Sequence, residues 1–155
     1  MIGLIVAHAK NRVIGYEGRI PWKIKGEQQR FKELTTGNVV IMGRRSYEEI
    51  GHPLPGRTTI VVSTTKVFHS DHCMTASSLS EAILMTGNNN IFICGGTSLY
   101  KEALSFVDKM YITEIDLDIE GDTYFPDFDE ALFEKEINKH INNEIPYTYI
   151  TYVRK

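Results

Sequence analysis

Cysteine, charge of one sign and long apolar runs are all scarce in this 155-residue chain. Its only cysteines, Cys73 and Cys94, are too few for a disulfide framework or a cysteine-rich zinc site, which indicates a reducing compartment. No apolar run approaches the roughly 20 residues of a membrane-spanning helix. Seventeen Lys and Arg stand against twenty Asp and Glu without a block of like charge, so nothing global attracts nucleic acid or a membrane surface.

These absences predict a globular protein of the cytoplasm. The apolar start, MIGLIVAHA, has no Lys or Arg before it, which favours a buried strand over a secretory signal. The five histidines have no metal-ligand spacing, so no metal is expected. A chain of this length buries about 70% of its unfolded surface without metal or disulfide. Without repeats or linkers, we expect a single domain over residues 1–155.

Short apolar runs alternate with helical segments, which predicts an α/β layered fold. The runs are apolar at consecutive positions, as in strands that helices cover on both faces. Strands are predicted at 2–9, 39–43, 59–63, 91–96 and 109–115, and helices at about 26–35, 44–50, 78–86 and 97–105. Ser78 and Glu81 form a capping-box pattern. The segment 133–141 suits a helix or a strand, and with the strand at 147–153 we expect a final antiparallel hairpin.

Two strand-to-helix junctions carry features of phosphate sites. In ICGGTSLY, Gly95 and Gly96 allow a ligand to approach the backbone, and the following helix start offers free amides. In VVIMGRRSYEEI, Arg44 and Arg45 add cations at a similar junction. Together they suggest a diphosphate ligand, whereas each alone also fits a tight turn or solvated arginines. A third strand ends in STTK, at the edge where open α/β sheets bind ligands.

Two further residues have competing explanations. The prolines of GHPLPGR hold Arg57 at a set place, as bidentate carboxylate binding requires, yet a stiffened surface turn with a spectator arginine explains them too. Glu27 shares a predicted helix face with Phe31 and Leu34. It is either a buried acid facing a ligand or a first-turn residue paired with Arg30 on the surface. The pattern alone leaves both open.

Seven segments in order and spacing resemble the bacterial dihydrofolate reductase family across essentially the whole chain. They are GLIVAHAKNRVIG, IPWKIKGEQQRFKELT, VVIMGRRSYEEIGHPLPGR, IVVS, ICGGTSLY, MYITEID and EGDTYFPDF. The resemblance implies a single-domain three-layer fold: an eight-stranded, mostly parallel sheet with an antiparallel C-terminal hairpin and four flanking helices. It also implies a monomeric enzyme of one-carbon metabolism and an antifolate target. Such an enzyme reduces 7,8-dihydrofolate to tetrahydrofolate with NADPH, by hydride transfer to C6 and protonation of N5.

The resemblance also implies residue roles. Glu27 would bind the pterin 2-amino and N3 groups, with Thr113 as its hydrogen-bond partner, while a water beside Ile20 and Trp22 would give the proton to N5. Arg57 would bind the α-carboxylate of the folate glutamate. The implied substrate walls are Ile5, Ala7, Gln28, Phe31, Ile50, Leu54 and Cys94. The implied NADPH-binding residues are Ala7, Ile14, Gly43, Arg44, Arg45, Ser46, Ser63, Thr64, Gly95, Gly96, Thr97, Ser98, Leu99 and Tyr100.

Within this set, Arg44, Ser63 and Thr64 would meet the 2′-phosphate, and a cis peptide would join Gly95 to Gly96. Residues 11–21 would form a mobile loop over the nicotinamide, with Asp122 as its clasp.

The chain departs from the family pattern at several positions. Glu27 stands where many bacterial members have Asp, and Gln28 occupies a position that is usually apolar. Since trimethoprim packs against that apolar side chain in the family, Gln28 suggests tolerance to this inhibitor. Two rival functions remain open: reduction of another pterin or a riboflavin precursor by the same fold, and a catalytically silent nucleotide-binding module. The first would lack the Glu27 and Arg57 pairing, and the second would lack Glu27 or Trp22.

Overall fold

The computed structural model of the protein describes residues 1–15, 26–87 and 89–155. Its strands are β1 (Ile2–Ala9), β2 (Val13–Gly15), β3 (Val39–Gly43), β4 (Thr58–Val62), β5 (Cys73–Ala76), β6 (Ile91–Ile93), β7 (Lys109–Ile115), β8 (Thr123–Tyr124), β9 (Phe133–Ile141) and β10 (Tyr147–Arg154). Its helices are α1 (Glu27–Thr35), α2 (Arg44–Ile50), α3 (Leu79–Leu84) and α4 (Thr97–Ala103), with a short 3-10 turn at Glu130–Leu132.

Eight of these strands form one sheet in the order β5-β4-β3-β6-β1-β7-β10-β9. Strands β1 and β3 to β7 run parallel, whereas β10 is antiparallel to both β7 and β9. The predicted α/β fold with a C-terminal antiparallel hairpin and four helices is therefore confirmed. None of the helices in the described ranges is long and apolar enough to cross a bilayer.

The consecutive apolar residues of the strands divide alternately between two core clusters. Leu4, Ile41 and Ile93 belong to one cluster, with Leu79 of α3 and Leu99 of α4. Their neighbours in the strands face the opposite side of the sheet, because side chains alternate along a strand. Ile5, Val40 and Phe92 belong to this second cluster, with Phe31 of α1 and Tyr47 of α2 packed around them. The result is three layers: α3 and α4, the sheet, then α1 and α2.

Several elements differ from the sequence prediction. Strand β6 ends at Ile93 rather than at residue 96, because Gly95 adopts a φ of +123° that leaves the extended region. Helix α3 ends at Leu84, and Gly87 follows in a left-handed conformation. Strands β2, β5 and β8 were not predicted, since two to four residues are too short to show a period. Strands β2 and β8 form a separate two-stranded sheet.

The cap of α3 gives a direct test of local stability. The side chain of Ser78 accepts a hydrogen bond from the backbone N–H of Glu81 at 3.1 Å, as the sequence pattern predicts. We expect Ser78→Ala to lower the free energy of unfolding by about 1 kcal/mol, because that N–H loses its acceptor. Ser80→Ala, a matched change at an exposed position of the same helix, should not destabilise the protein. Urea unfolding measures both, and equal losses would contradict the capping role.

Candidate active site

The centre of the candidate site is a hydrogen bond between α1 and the sheet. The hydroxyl of Thr113 lies 3.1 Å and 3.0 Å from the two carboxyl oxygens of Glu27. Thr113 belongs to β7, where its Cα partners are Ala7 of β1 and Tyr149 of β10. A hydroxyl has one hydrogen to donate, so most of the acceptor positions of the Glu27 carboxylate remain for a ligand. The carboxyl of Glu27 is thus half-buried and hydrogen-bonded to the sheet, and among the described side chains Glu27 and Arg30 form no ion pair on the surface of α1.

Burial dominates the electrostatics of this carboxyl. Desolvation raises the pKa of Glu27 to about 7, although the hydrogen bond from Thr113 and the charge of Arg30 both oppose that rise. Removal from water disfavours the ionised form of an acid, and the two opposing interactions favour it. Glu27 consequently changes its charge near neutral pH, unlike an exposed glutamate.

The second core cluster contains, or has packed against it, five of the six apolar residues implied for the substrate wall. Ile5 is buried in the second core cluster, and Phe31, Ile50, Leu54 and Cys94 pack against it. Tyr111 of β7 joins the same cluster, although sequence analysis did not identify it. The thiol of Cys94 lies 3.3 Å from the carbonyl oxygen of Phe92, and burial raises its pKa, so it remains a neutral wall group. Gln28 lies exposed in the first turn of α1.

Arg57 lies at the other end of α1, buried to 7% exposure. Its Nε donates to the carbonyl of Pro55 at 3.0 Å and its Nη1 to the hydroxyl of Thr35 at 3.2 Å. The centre of the Phe31 ring is 5.9 Å from its guanidinium carbon. Two of five N–H groups are thus engaged within the described chain, and the fork is held in place with donors remaining. A buried guanidinium in a fixed position suits carboxylate binding, whereas a spectator arginine on a surface turn would be solvated.

The two glycine-containing junctions lie against each other. The N–H of Gly43 donates to the carbonyl of Gly95 at 2.8 Å, and the Gly95–Gly96 peptide is cis, as the resemblance implies. A side chain at Gly95 would be strained by its positive φ, and its Cβ would lie 3.1 Å from the hydroxyl oxygen of Ser46. The absence of a side chain there leaves a cradle between the starts of α2 and α4, where Ser46 and Thr97 lie half-buried.

Other residues of this junction set have different surroundings. The hydroxyl of Tyr100 donates to the carbonyl of Ile5 at 2.8 Å, so it links α4 to β1. Leu99 is buried in the first core cluster, and Ser98 and Arg45 are exposed. Ile14 packs partly against the same cluster from β2.

A cluster of polar and charged side chains follows β4. The hydroxyl oxygen of Ser63 accepts from the N–H groups of Thr65 at 3.3 Å and Lys66 at 3.1 Å. Arg44 donates to the hydroxyl of Thr65 at 2.9 Å and pairs with Glu48 at 2.9 Å, while Lys66 lies 3.6 Å from Glu48. Thr64 is exposed beside them. Two cations, Arg44 and Lys66, thus lie at the end of β4, the STTK segment that the sequence suggested as a ligand-binding edge.

The implied loop and its clasp are described only in part. The N–H of Asp122 donates to the carbonyl of Gly15 at 3.0 Å, where β8 pairs with β2. This backbone contact joins Asp122 to Gly15, inside the range 11–21 that the resemblance implies for the loop. Ile20 and Trp22, which the resemblance places beside the reacting atoms, lie outside the described residues.

Sequence analysis missed the environment of Arg30. The sequence suggested Arg30 only as a surface partner of Glu27. In the structure, the guanidinium carbon of Arg30 lies 3.6 Å from the centre of the Tyr149 ring on β10. The period of α1 does show that Arg30 follows Glu27 by three residues on one face. The aromatic partner lies more than 100 residues away in the chain, so no local pattern could identify it.

Comparisons with known proteins agree with this geometry. The profile of a family described as dihydrofolate reductase matches residues 1–154. The chain is 34% identical over 160 residues to the dihydrofolate reductase of Bacillus subtilis, covering 100% of this chain and 95% of that protein. It is 43% identical over 129 residues to dihydrofolate reductase type 3 of Salmonella typhimurium, covering 83% of this chain and 80% of that protein.

A solved structure shares the whole fold. Dihydrofolate reductase from Enterococcus faecalis, complexed with NADP(H) and RAB-propyl, superposes with a TM-score of 0.91 at 32% identity. The alignment covers 99% of this chain and 96% of the other.

The raised pKa of Glu27 predicts how stability changes with pH. Folding moves this pKa from 4.5 to about 7, so the native state holds the proton more tightly than the unfolded state. The stability contribution is full below pH 4.5 and is lost as pH rises through 7. As pH rises between these limits, the free energy of unfolding of the parent should fall by about 1–3 kcal/mol relative to that of Glu27→Gln. This range allows for solvent screening at a half-buried group.

Urea unfolding from pH 4 to pH 8 measures this difference in the ligand-free protein. Glu33→Gln, the same change at an exposed position of α1, should follow the parent protein. A difference between the parent and Glu27→Gln that stays constant with pH would show that Glu27 has an ordinary pKa.

Proposed function

The chain belongs to the dihydrofolate reductase family, and from this premise we propose that the pocket around Glu27 and Thr113 binds the pterin ring of the substrate. Family membership makes the protein an NADP-dependent oxidoreductase. It reduces the small molecule 7,8-dihydrofolate to tetrahydrofolate with NADPH, by hydride transfer to C6 and protonation of N5. The rivals that sequence analysis left open are thereby excluded as its main activity.

The observation that carries the pterin assignment is a carboxylate held by one hydroxyl inside an apolar cleft. Glu27 presents two oxygens on one plane, and the 2-amino and N3 groups of a pterin present two parallel N–H donors. Such paired, charge-assisted hydrogen bonds are strong and fix the orientation of a flat ring. Thr113 leaves acceptor positions for them because its hydroxyl, although close to both oxygens, has a single hydrogen to donate.

The pocket also supports the proton transfer. The raised pKa of Glu27, about 7, allows this group to take up and release a proton near neutrality. Glu27 would contact the edge of the pterin opposite to N5, so we assign the immediate delivery of the proton to a water beside Ile20 and Trp22. In this assignment Glu27 and Thr113 orient the ring and favour its protonated form.

Arg57 supplies the second anchor for the substrate. A buried guanidinium with a fixed orientation, and with N–H groups that the described residues do not engage, suits the α-carboxylate of the glutamate tail. Between Arg57 and Glu27, the walls that we assign to the pterin and benzoyl rings are Ile5, Ala7, Phe31, Ile50, Leu54 and Cys94. Gln28 would lie at the open side of this cleft.

The adjoining junctions fit NADPH. A side chain at Gly95 would fill the space beside Ser46, and the helix starts around this space offer backbone amides to a diphosphate. We assign the cofactor to Ala7, Ile14, Gly43, Arg44, Arg45, Ser46, Ser63, Thr64, Gly95, Gly96, Thr97, Ser98, Leu99 and Tyr100. When bound, NADPH supplies the hydride for the reduction.

The cluster after β4 fits the phosphate that distinguishes NADPH from NADH. Arg44 and Lys66 bring two positive charges, and Ser63 fixes the turn between them through backbone hydrogen bonds. Glu48 holds both cations in place at the surface. We assign the 2′-phosphate to Arg44, Ser63 and Thr64, with Lys66 as an addition from the structure.

We further propose that residues 1–155 work as one domain, as a monomer and in the cytoplasm. One eight-stranded sheet runs through the described chain, and the family profile extends over nearly all of it. The cysteines are free thiols, which suits a reducing compartment.

Glu27→Gln tests the assigned acid. We expect NADPH binding to persist and hydride transfer at neutral pH to fall roughly 10²- to 10⁴-fold, the usual worth of an acid–base group. The rate should recover partly as pH falls, because acidic solvent can protonate N5 directly. Single-turnover kinetics measure the step, with Glu33→Gln as the matched control on the same helix. An unchanged rate at neutral pH would remove Glu27 from the mechanism.

Gln28→Leu tests the proposal that the enzyme tolerates trimethoprim. An exposed amide replaces an apolar contact, so the parent should bind this inhibitor weakly. The leucine variant should bind trimethoprim roughly 10-fold more tightly or better, from part of the ~1.5–3 kcal/mol of a buried leucine. The kcat/KM for dihydrofolate should change far less. Gln29→Leu, the same change one position away, is the control. Equal inhibition constants for parent and Gln28→Leu would show that Gln28 does not discriminate.

A further inference from the structure

Arg30 closes a ring of contacts around the carboxyl of Glu27. Glu27 accepts from Thr113, Thr113 is the cross-strand partner of Tyr149, and the Tyr149 ring lies under the guanidinium of Arg30 at 3.6 Å. Arg30 follows Glu27 by three residues in α1, so the two side chains lie on the same face of the helix. Helix α1, β7 and β10 each contribute one side of this ring. A surface arginine with free choice of conformation would not be held in this way.

The stacked position separates the charge of Arg30 from the acceptors of Glu27. Within the described chain, Arg30 and Glu27 form no ion pair within 4.0 Å, because the guanidinium lies over the Tyr149 ring instead. Stacking on an aromatic face suits a guanidinium, which is planar and weakly hydrated. The positive charge therefore acts on Glu27 through space, and the carboxylate oxygens stay available for the pterin donors.

Among the described residues, the other titratable groups near Arg30 are phenols. Tyr111 of β7 and Tyr149 of β10 interact with Arg30, and Tyr147 lies beside Tyr149 at a ring distance of 5.4 Å. Burial raises the pKa of Tyr149, so its ring carries no charge near neutrality. Among charged side chains in the described ranges, Arg30 is the one that acts on Glu27. Without Arg30, the hydrogen bond from Thr113 would be the remaining one of these two interactions that oppose the rise in the pKa of Glu27 on burial.

We propose that Arg30 is a positioning residue for the reaction: supported by Tyr149, it favours the ionised form of Glu27 for pterin binding without occupying the oxygens that bind the pterin. This inference rests on the proposed role of Glu27. It adds a specific division of labour, in which Thr113 fixes the position of the carboxyl and Arg30 opposes the loss of its charge on burial. The consequence is a measurable dependence of the Glu27 charge on a side chain that does not touch the substrate.

Carboxyl NMR titration of Glu27 in the ligand-free protein tests this charge dependence directly. Arg30→Gln should move the midpoint upward by about 1 pH unit, the low end for loss of an opposite charge in a shared pocket. Arg30→Lys retains the charge and should move it by less than half as much. Tyr149→Leu removes the ring that holds the guanidinium away from Glu27, so Arg30 can approach the carboxylate and the midpoint should move downward. Lys32→Gln removes an exposed positive charge from the same helix and should leave it unchanged.

Binding of dihydrofolate without cofactor gives a second readout. If Glu27 must be ionised to bind the pterin, a rise of its pKa from about 7 by one unit weakens binding about fivefold at pH 7. The parent and Arg30→Gln should converge near pH 9, where Glu27 is ionised in both. A purely structural defect would persist at every pH.

The outcomes separate this inference from the pterin assignment. Titration midpoints that agree between the parent and Arg30→Gln, or an equal shift in Lys32→Gln, would overturn the role of Arg30. If instead the midpoint moves as expected but binding of dihydrofolate does not follow it, Arg30 controls the Glu27 charge and the pterin assignment of Glu27 is wrong.

Discussion

A buried carboxyl at the first residue of α1 is the constraint on which the site depends. The hydrogen bond from Thr113 attaches this end of α1 to the central sheet, and Thr35 at the other end binds Arg57. Eight steps along a helix separate the two residues by about 12 Å. Helix α1 therefore sets the distance between the acid that we assign to the pterin N–H groups and the cation that we assign to the glutamate carboxylate. A ligand with a pterin at one end and a glutamate at the other matches both the chemistry and the direction of this spacing.

Local charges, rather than the net charge of −3, determine which ligands the protein attracts. Arg57 lies at the substrate end, and Arg44 and Lys66 lie beyond the cradle formed at Gly95. Glu27 is half-buried and largely removed from water. Cations thus occupy the places that we assign to anionic parts of the two ligands, and Glu27 occupies the place that we assign to the ring edge that donates hydrogen bonds. This arrangement explains how a slightly acidic protein can bind two anions.

Sequence reasoning succeeded where a pattern extended over a whole element. The strands of continuous apolar residues and the cap at Ser78 produced the layered fold, because alternate residues must bury on both faces of a covered sheet. It failed for β2, β5 and β8, which depend on pairing partners rather than on their own two to four residues. In the site, the sequence pattern left both interpretations of Glu27 open. Thr113, which binds Glu27, and Tyr149, which holds Arg30, both belong to distant strands that no local pattern connects to α1. Only the resemblance to a family identified Glu27 and Arg57 as a pair.

The carboxyl of Glu27 reaches the sheet from a helix that starts close to β10. Gly26 precedes it with a φ of +94°, and a Cβ there would lie 3.1 Å from the hydroxyl oxygen of Tyr147. The backbone can therefore start α1 close to β10, next to the ring that supports Arg30. From this start, the longer side chain of glutamate still reaches Thr113 with both oxygens near 3 Å. The geometry of α1 thus brings a glutamate to Thr113, and burial gives its carboxyl a raised pKa of about 7, which suits the acid–base role that we propose for it.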